Sequence, residues 1–330
     1  MASALASTLA ACGVPGAALA VVSAGGGVRI QCAGHLAEGG SALVDEDTVF
    51  EAASLSKPCF ALAVLRLAEA GAFPLDEPLA EHVEDLREAD ALTRSITARQ
   101  VLAHSSGLPN WRTEARALRS WFTPGSRFSY SGEGFVCLQQ AVEAVCRKSA
   151  ERLASELVFA PLHMDRSSYV WQASFDDNHA LPQAAASQPA KPKWQPERPN
   201  VASSLHTTAG DYARFLRAVL TGDLLDPRTA ELWLQPAIAV PEQGPVSLDD
   251  PSATHPDLAW GLGWGLRSGP GLFFQWGANA GFSAMALGST REQQAMVLLS
   301  NGAQGLSLAK RVMTPQFPAS SRIFDWLGVR

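Results

Sequence analysis

The chain has 330 residues, 47% of them hydrophobic and 18% charged, which is ordinary globular composition and enough for one large or two ordinary domains with a substantial core. The formal net charge of -6 offers no basic footprint for nucleic acid, and no apolar run reaches the ~18 residues of a membrane span. The five cysteines (Cys12, Cys32, Cys59, Cys137 and Cys146) are scattered, with no CxxC pair, which argues against a disulfide framework or a zinc site and for a reducing compartment.

Residues 2–12 are rich in Ala and Leu and predict a terminal helix, followed by a turn at Gly13-Val14-Pro15-Gly16. Leu9-Ala10-Ala11-Cys12 has the shape of a lipoprotein cleavage box. No Lys or Arg precedes it, its apolar stretch is short and the next residues read as a strand, so the expected location is cytoplasmic. Ala17 to Ser23 and Val28 to Ala33, apolar and β-branched on either side of Gly25-Gly26-Gly27, predict a hairpin. Thr48-Val49-Phe50 reads as extended. Phe60 to Ala70, with only Arg66 and Glu69 charged, reads as a helix buried almost all round that stops at Gly71.

From Pro74 to about Pro161 the pattern is helical. A short helix over Thr97 to His104 ends in the turn Ser105 to Pro109, and Leu138, Val142, Val145 and Leu153 fit one long amphipathic helix through residues 136–157. Pro182 to Pro199 predicts a long irregular loop of the kind that rims functional sites, with Trp194 a candidate for the rim or for a surface anchor. Tyr212, Phe215, Leu216, Val219 and Leu220 repeat at helical spacing between Thr208 and Gly222. Strands are expected over Trp260 to Leu266, Leu272 to Trp276, Phe282 to Gly288 and Gln294 to Ser300, with a closing helix near Arg322 to Leu327. Strands at both ends and helices in the middle predict an α+β layer built from both termini with a helical insertion.

Chemistry concentrates in three stretches. In Ser54-Leu55-Ser56-Lys57 a serine precedes a lysine by three residues at the start of the buried helix, so both lie on one helix face. A lysine in a dry site can be neutral and take the hydroxyl proton, and the helix N-terminus adds N–H groups where an oxyanion would form. The same spacing recurs at Ser307 to Lys310 without that setting. The second stretch is Phe128 to Phe135, where Tyr130 is one of only three tyrosines; near an ammonium its hydroxyl is expected to titrate low enough to exchange protons. The third is Phe274 to Phe282, whose glycines beside a strand allow a substrate close to the backbone. His104 and His206 read as structural, no histidine spacing suggests a metal, and Gly261, Gly263 and Gly265 read as strand packing rather than nucleotide binding.

Taken in this order, the three stretches resemble the serine β-lactamase and penicillin-binding protein superfamily. The likeness is greatest to its class C-like branch of class C β-lactamases, D-aminopeptidases, family VIII carboxylesterases and transesterases. Gly13 to Ala17, Ile96 to Pro109, Phe159 to Tyr169 and a helix over Ser204 to Phe215 extend the likeness over nearly the whole chain. The resemblance implies that Ser54 is the acylated nucleophile, Lys57 its proton acceptor and Tyr130 a proton shuttle. It also implies an oxyanion hole from the backbone N–H groups of Ser54 and Ala278, and contacts to substrate from Gln275, Trp276 and Gly277. Two departures stand out: Gly132 replaces the asparagine of the Tyr-x-Asn motif, with Glu133 as a candidate substitute, and Gln275 replaces a cationic or imidazole residue.

A β-lactamase/DD-peptidase-like fold follows from the resemblance, with an antiparallel sheet and flanking helices from residues 1–58 and 203–330 and a helical subdomain from 59–202. No metal or cofactor is expected. A neutral Gln275 and an apolar Trp276 favour a small neutral ester, then an amide, as the partner molecule. Turnover of β-lactams or D-amino-acid peptides, acyl transfer to another acceptor and a non-catalytic penicillin-binding role are the alternatives.

Overall fold

The computed structural model describes residues 2–183, 193–249 and 253–330. The chain opens with α1 (Ala2–Cys12) and the hairpin β1 (Gly16–Val22) and β2 (Val28–Gly34), then runs through β3 (Phe50–Ala53) into α2 (Ser56–Glu69). Short helices α3 (Glu84–Arg87), α4 (Ala91–Arg94) and α5 (Ala98–Leu102) lead to α6 (Gly132–Cys146) and α7 (Ala150–Ala154). Strand β4 (Leu205–Thr207) precedes α8 (Ala209–Thr221) and α9 (Pro227–Trp233). The remaining strands are β5 (Ile238–Pro241), β6 (Thr254–Trp260), β7 (Gly265–Arg267), β8 (Leu272–Asn279), β9 (Phe282–Ser289) and β10 (Gln294–Ser300), followed by α10 (Gly305–Met313) and α11 (Ser321–Trp326).

Eight strands form one antiparallel sheet in the order β2-β1-β10-β9-β8-β7-β6-β5, and β3 pairs separately with β4. Its middle strands are apolar on both faces because each face covers a core. Along β10, Ala295, Val297 and Leu299 point to one core and Met296 and Leu298 to the other, the period-2 alternation of a strand. The first core lies under α8 and α2 and continues into the helical region between β3 and β4; the second lies under α1, α10 and α11. Tyr212, Phe215, Leu216 and Val219 of α8 are all buried, at roughly 1.5–3 kcal/mol each for a fully buried large apolar side chain.

Local signals account for most boundaries. Thr97 and Gln100 form a reciprocal capping box at α5, Ser131 caps α6 by accepting from Gly134 N at 2.9 Å, and Thr208 caps α8 by accepting from Asp211 N at 3.1 Å. Gly71 and Gly222 end α2 and α8 with φ of +68° and +74°.

Three expectations need correction. The helix predicted through 136–157 begins at Gly132 and breaks at Arg147, which takes a left-handed φ of +52°; Ser149 then caps α7, and a π-helical turn covers Ser155–Phe159. Trp260 to Leu266 is not one strand but the junction of β6 and β7, where Gly263 takes φ +102° and an added Cβ would meet Ala61 Cβ at 2.7 Å. The stretch expected as a helix from Ser204 starts as β4, paired with β3. Of the loop expected over Pro182 to Pro199, residues 184–192 lie outside the described residues, and the described flanks carry no helix or strand.

Candidate active site

Two features bring the site together. The first is a sharp passage from strand to helix. β3 ends at Ala53, whose φ of +49° is uncommon for a residue with a Cβ, and the chain then turns into α2. Ser54 sits on this turn, just before the helix, and Lys57 is the second helical residue. The second feature is an open strand edge. β7 pairs only with Leu272 to Phe274 of β8, so the edge from Gln275 to Asn279 is free of strand partners and runs past the turn.

Lys57 is 1% exposed, yet it is a lysine inside an apolar core. Its Nζ lies 3.0 Å from Ser54 Oγ and donates to the Ala202 carbonyl at 2.7 Å. The rings of Tyr130 and Phe135 stand 4.9 and 5.6 Å from it. No carboxylate pairs with it among the described residues, so burial alone governs its titration and lowers its pKa from 10.5 to about 7. At neutral pH a substantial fraction is therefore an amine with a free lone pair.

Tyr130 faces the same hydroxyl. It hydrogen-bonds Ser54 and accepts from Gln275 Nε2 at 2.8 Å, and its ring is held between His104, stacked at 4.1 Å, and Trp276 at 4.8 Å. Its pKa is raised rather than lowered, because burial outweighs both hydrogen bonds. The expectation of a low-titrating phenol is thus reversed: Tyr130 stays protonated and is a donor. Gln275 Nε2 also donates to the carbonyls of Ser54 at 3.2 Å and Trp276 at 3.1 Å. Those carbonyls accept only, so the amide nitrogen faces them, and the phenol oxygen accepts from it with its own proton free for Ser54.

The backbone supplies donors beside Ser54. β8 and β9 join through the two-residue loop Ala280-Gly281, so Asn279 and Phe282 form the closing hydrogen-bonded pair. Alternation then makes Ala278 and Ser283 a non-hydrogen-bonded pair, and Ala278 N–H points to the free edge. Ser54 N–H meets no acceptor among the described residues. The close approach of β8 depends on Gly277, where a Cβ would stand 2.4 Å from the Ala52 carbonyl oxygen and 3.1 Å from Ser54 N.

A cavity of about 500 Å³ opens over this corner. Ser54, Tyr130, Trp276 and Ala278 line it, while Lys57 lies buried below, and Gln275 and Gly277 are buried in β8. Glu133 does not reach the cavity: Arg112 holds it, donating through Nε and the backbone N, each at 3.0 Å. At Gly132 the space of a side chain is already filled, since a Cβ would meet the Trp111 ring at 2.8 Å and the Asn110 carbonyl at 2.9 Å. Trp111 and Asn110 line the cavity instead. Sequence reasoning missed them, along with Glu51, Ser203 and Asn279. The signal for Glu51 was present, as a lone acid in the apolar run Val49 to Ala53. Asn110 carried none beyond following the turn at Ser105 to Pro109. Trp194, from the proline-rich loop, lies on the rim. His104 is structural as expected, its Nδ1 accepting from Ser131 N at 3.0 Å, and so is His206, bonded to the Ser204 carbonyl at 2.9 Å.

The fold and this corner define a protein of the serine β-lactamase and penicillin-binding protein class. The chain belongs to the β-lactamase family, whose model matches residues 1–312. Penicillin-binding protein 4 of Amycolatopsis lactamdurans is 26% identical over 280 residues, covering 78% of this chain and 73% of that protein. Esterase EstB of Burkholderia gladioli is 42% identical over a shorter span of 71 residues, 21% of this chain and 18% of EstB. Among solved structures, the octameric penicillin-binding protein homologue from Pyrococcus abyssi superposes with a TM-score of 0.79 at 20% identity, over 96% of this chain and 76% of that one. No helix among the described residues is long and apolar enough to cross a membrane.

Proposed function

We propose that this protein is a serine hydrolase that works through an acyl-enzyme on Ser54, with small esters lacking a carboxylate on the leaving group as its preferred substrates. The observation that carries this reading is the buried Lys57 amine 3.0 Å from Ser54 Oγ, with no carboxylate among the described residues to hold its proton. Ser54 Oγ attacks the ester carbonyl as its proton passes to Lys57 Nζ, and the oxyanion forms against the N–H groups of Ser54 and Ala278. The C–O bond to the leaving group breaks as Tyr130 gives that oxygen its proton and is reprotonated from Lys57. Water then attacks the acyl carbon, losing a proton to the same relay, and Ser54 leaves as its alcohol.

The preference for esters rests on charge. Among the described residues lining the cavity there is no Lys, Arg or His, and Gln275 lies in the place where the family's pattern has a cation. A β-lactam or peptide carboxylate would leave water without an ionic partner. The esterase EstB among the relatives supports the same class. A fluorescent phosphonate should label the wild type and not Ser54→Ala, and p-nitrophenyl acetate should turn over faster than a chromogenic cephalosporin. Absence of labelling under conditions that label a family control favours a non-catalytic role. Faster cephalosporin turnover overturns the ester preference.

A further inference from the structure

The two ends of the cavity differ in chemistry. β8 runs its length: Gln275 touches Tyr130 at one end, and Asn279 touches Glu51 at the other, Nδ2 to Oε2 at 2.9 Å. Four residues at about 3.3 Å each put the two ends roughly 13 Å apart, with Ala278 close to the Glu51 end. The leaving group departs beside Tyr130, because that phenol protonates it. The acyl group therefore points the other way, toward Glu51, Asn279, Ser203 and the Trp194 rim.

Glu51 is the one carboxylate among the described lining residues, and no cation lies within 4 Å of it among them. Lys193 is near enough to attract the Glu51 carboxylate but does not pair with it, its Nζ standing 3.1 Å from the centre of the Trp171 ring and 3.9 Å from Asp176. Asn279 Nδ2, which also donates to the Ser203 carbonyl at 3.3 Å, fixes one carboxylate oxygen and cannot neutralise it. Burial raises the Glu51 carboxyl to about 7. A buried carboxylate at the end of a cavity, with no ion pair among the described residues, gains from a ligand that brings a cation into contact with it, and the Trp194 indole on the same rim adds an aromatic surface for that cation.

We propose that Glu51 selects the acyl group, and that the site favours esters whose acyl part carries an ammonium a few bonds from the carbonyl. This rests on the acyl-enzyme reading above for its direction, since that reading decides which end holds the acyl group. In such a complex the ammonium donates to the free Glu51 oxygen while the carbonyl stays over Ser54.

The test compares β-alanine and butyrate p-nitrophenyl esters, each kcat/KM divided by the ester's own rate in buffer. The wild type should prefer the ammonium ester at least tenfold, and Glu51→Gln, which keeps an oxygen for Asn279, should reduce that ratio at least tenfold; an unchanged ratio overturns the proposal. A second arm needs no turnover and no variant. Calorimetric titration of the wild type with benzylammonium and with benzyl alcohol should show tighter binding of the cation by tenfold or more, and equal binding overturns the proposal. If the phosphonate fails to label Ser54 while benzylammonium still binds selectively, the acyl-enzyme reading fails and the anionic subsite stands.

Discussion

The spacing Ser-x-x-Lys occurs twice, and the two copies differ in everything except that spacing. Ser54 and Lys57 lie at the entry of a helix buried on nearly all sides, and Lys57 points its amine at the serine. Ser307 and Lys310 lie on α10, at the surface. There Ser307 Oγ donates to Gln304 Oε1 at 3.3 Å, and Lys310 turns away to Asp325 at 3.0 Å and the Val329 carbonyl at 2.7 Å. One lysine has lost its water and gained no anion; the other keeps both solvent and a countercharge. On the proposed reading, what sets the first copy apart is dehydration without pairing, not a three-residue interval.

The sharpest way to break this comparison is to remove each lysine. Lys57→Met should lower the rate of phosphonate labelling by at least ~10³-fold, since the nucleophile loses its base. The same variant should be more stable at pH 7. A lysine ordinarily titrating at 10.5 and held at about 7 costs on the order of 5 kcal/mol below pH 7, where it is charged in both states, and progressively less above it. Because the unfolded state binds the extra proton between pH 7 and 10.5, wild-type stability rises with pH across that window. The advantage of Lys57→Met, about 1–3 kcal/mol at pH 7 after the lost hydrogen bonds, should shrink as pH approaches 10.5. A destabilised Lys57→Met would show that the buried amine is held by more than its function.

Next in size is the other wall of the corner. Gly277→Ala puts a Cβ 2.4 Å from the Ala52 oxygen, and neither backbone can yield without moving Ala278 N–H from the oxyanion position. Activity should fall by roughly 10²-fold or more with KM for a neutral ester little changed. A fully active Gly277→Ala would remove β8 from the catalytic arrangement.

How much of this was readable in the sequence follows the same division between local and spatial signals. The hairpin, α2, α8 and β10 were legible because their apolar period and their glycine stops are local. The break at Arg147 was not, because a non-glycine residue there adopts the left-handed conformation, and the apolar spacing across it remains helical. Ser54, Lys57 and Tyr130 stood out by type and setting. Asn110, Trp111, Ser203 and Asn279 join the site only through the path of the chain, and no interval in the sequence predicts that Trp111 fills the space at Gly132. The sign of the Tyr130 shift was also out of reach: it depends on burial, which outweighs the hydrogen bonds to Ser54 and Gln275 and is set by the path of the chain.

The pH dependence of acylation sharpens the comparison further. With Lys57 held near 7, kcat/KM for a neutral ester should rise about tenfold per unit below pH 7 and level off above it, as the neutral amine becomes the dominant form. Glu51 titrates in the same range, so the profile should be measured in Glu51→Gln as well. A midpoint that persists there belongs to Lys57, and one that disappears belongs to Glu51.

The smallest effect is expected at the second copy, and its smallness is informative. Lys310 is partly exposed and Asp325 largely so, and a pair in that setting contributes about 0.2–1 kcal/mol. Lys310→Ala should therefore lower the thermal midpoint slightly, less so at high salt, where the ion pair is already screened. Labelling of Ser54 should be unaffected, because α10 covers the face of the sheet away from α2. A loss of labelling in Lys310→Ala would mean that the two copies communicate through the sheet, and that the chemistry at Ser54 depends on more than the dryness of one amine.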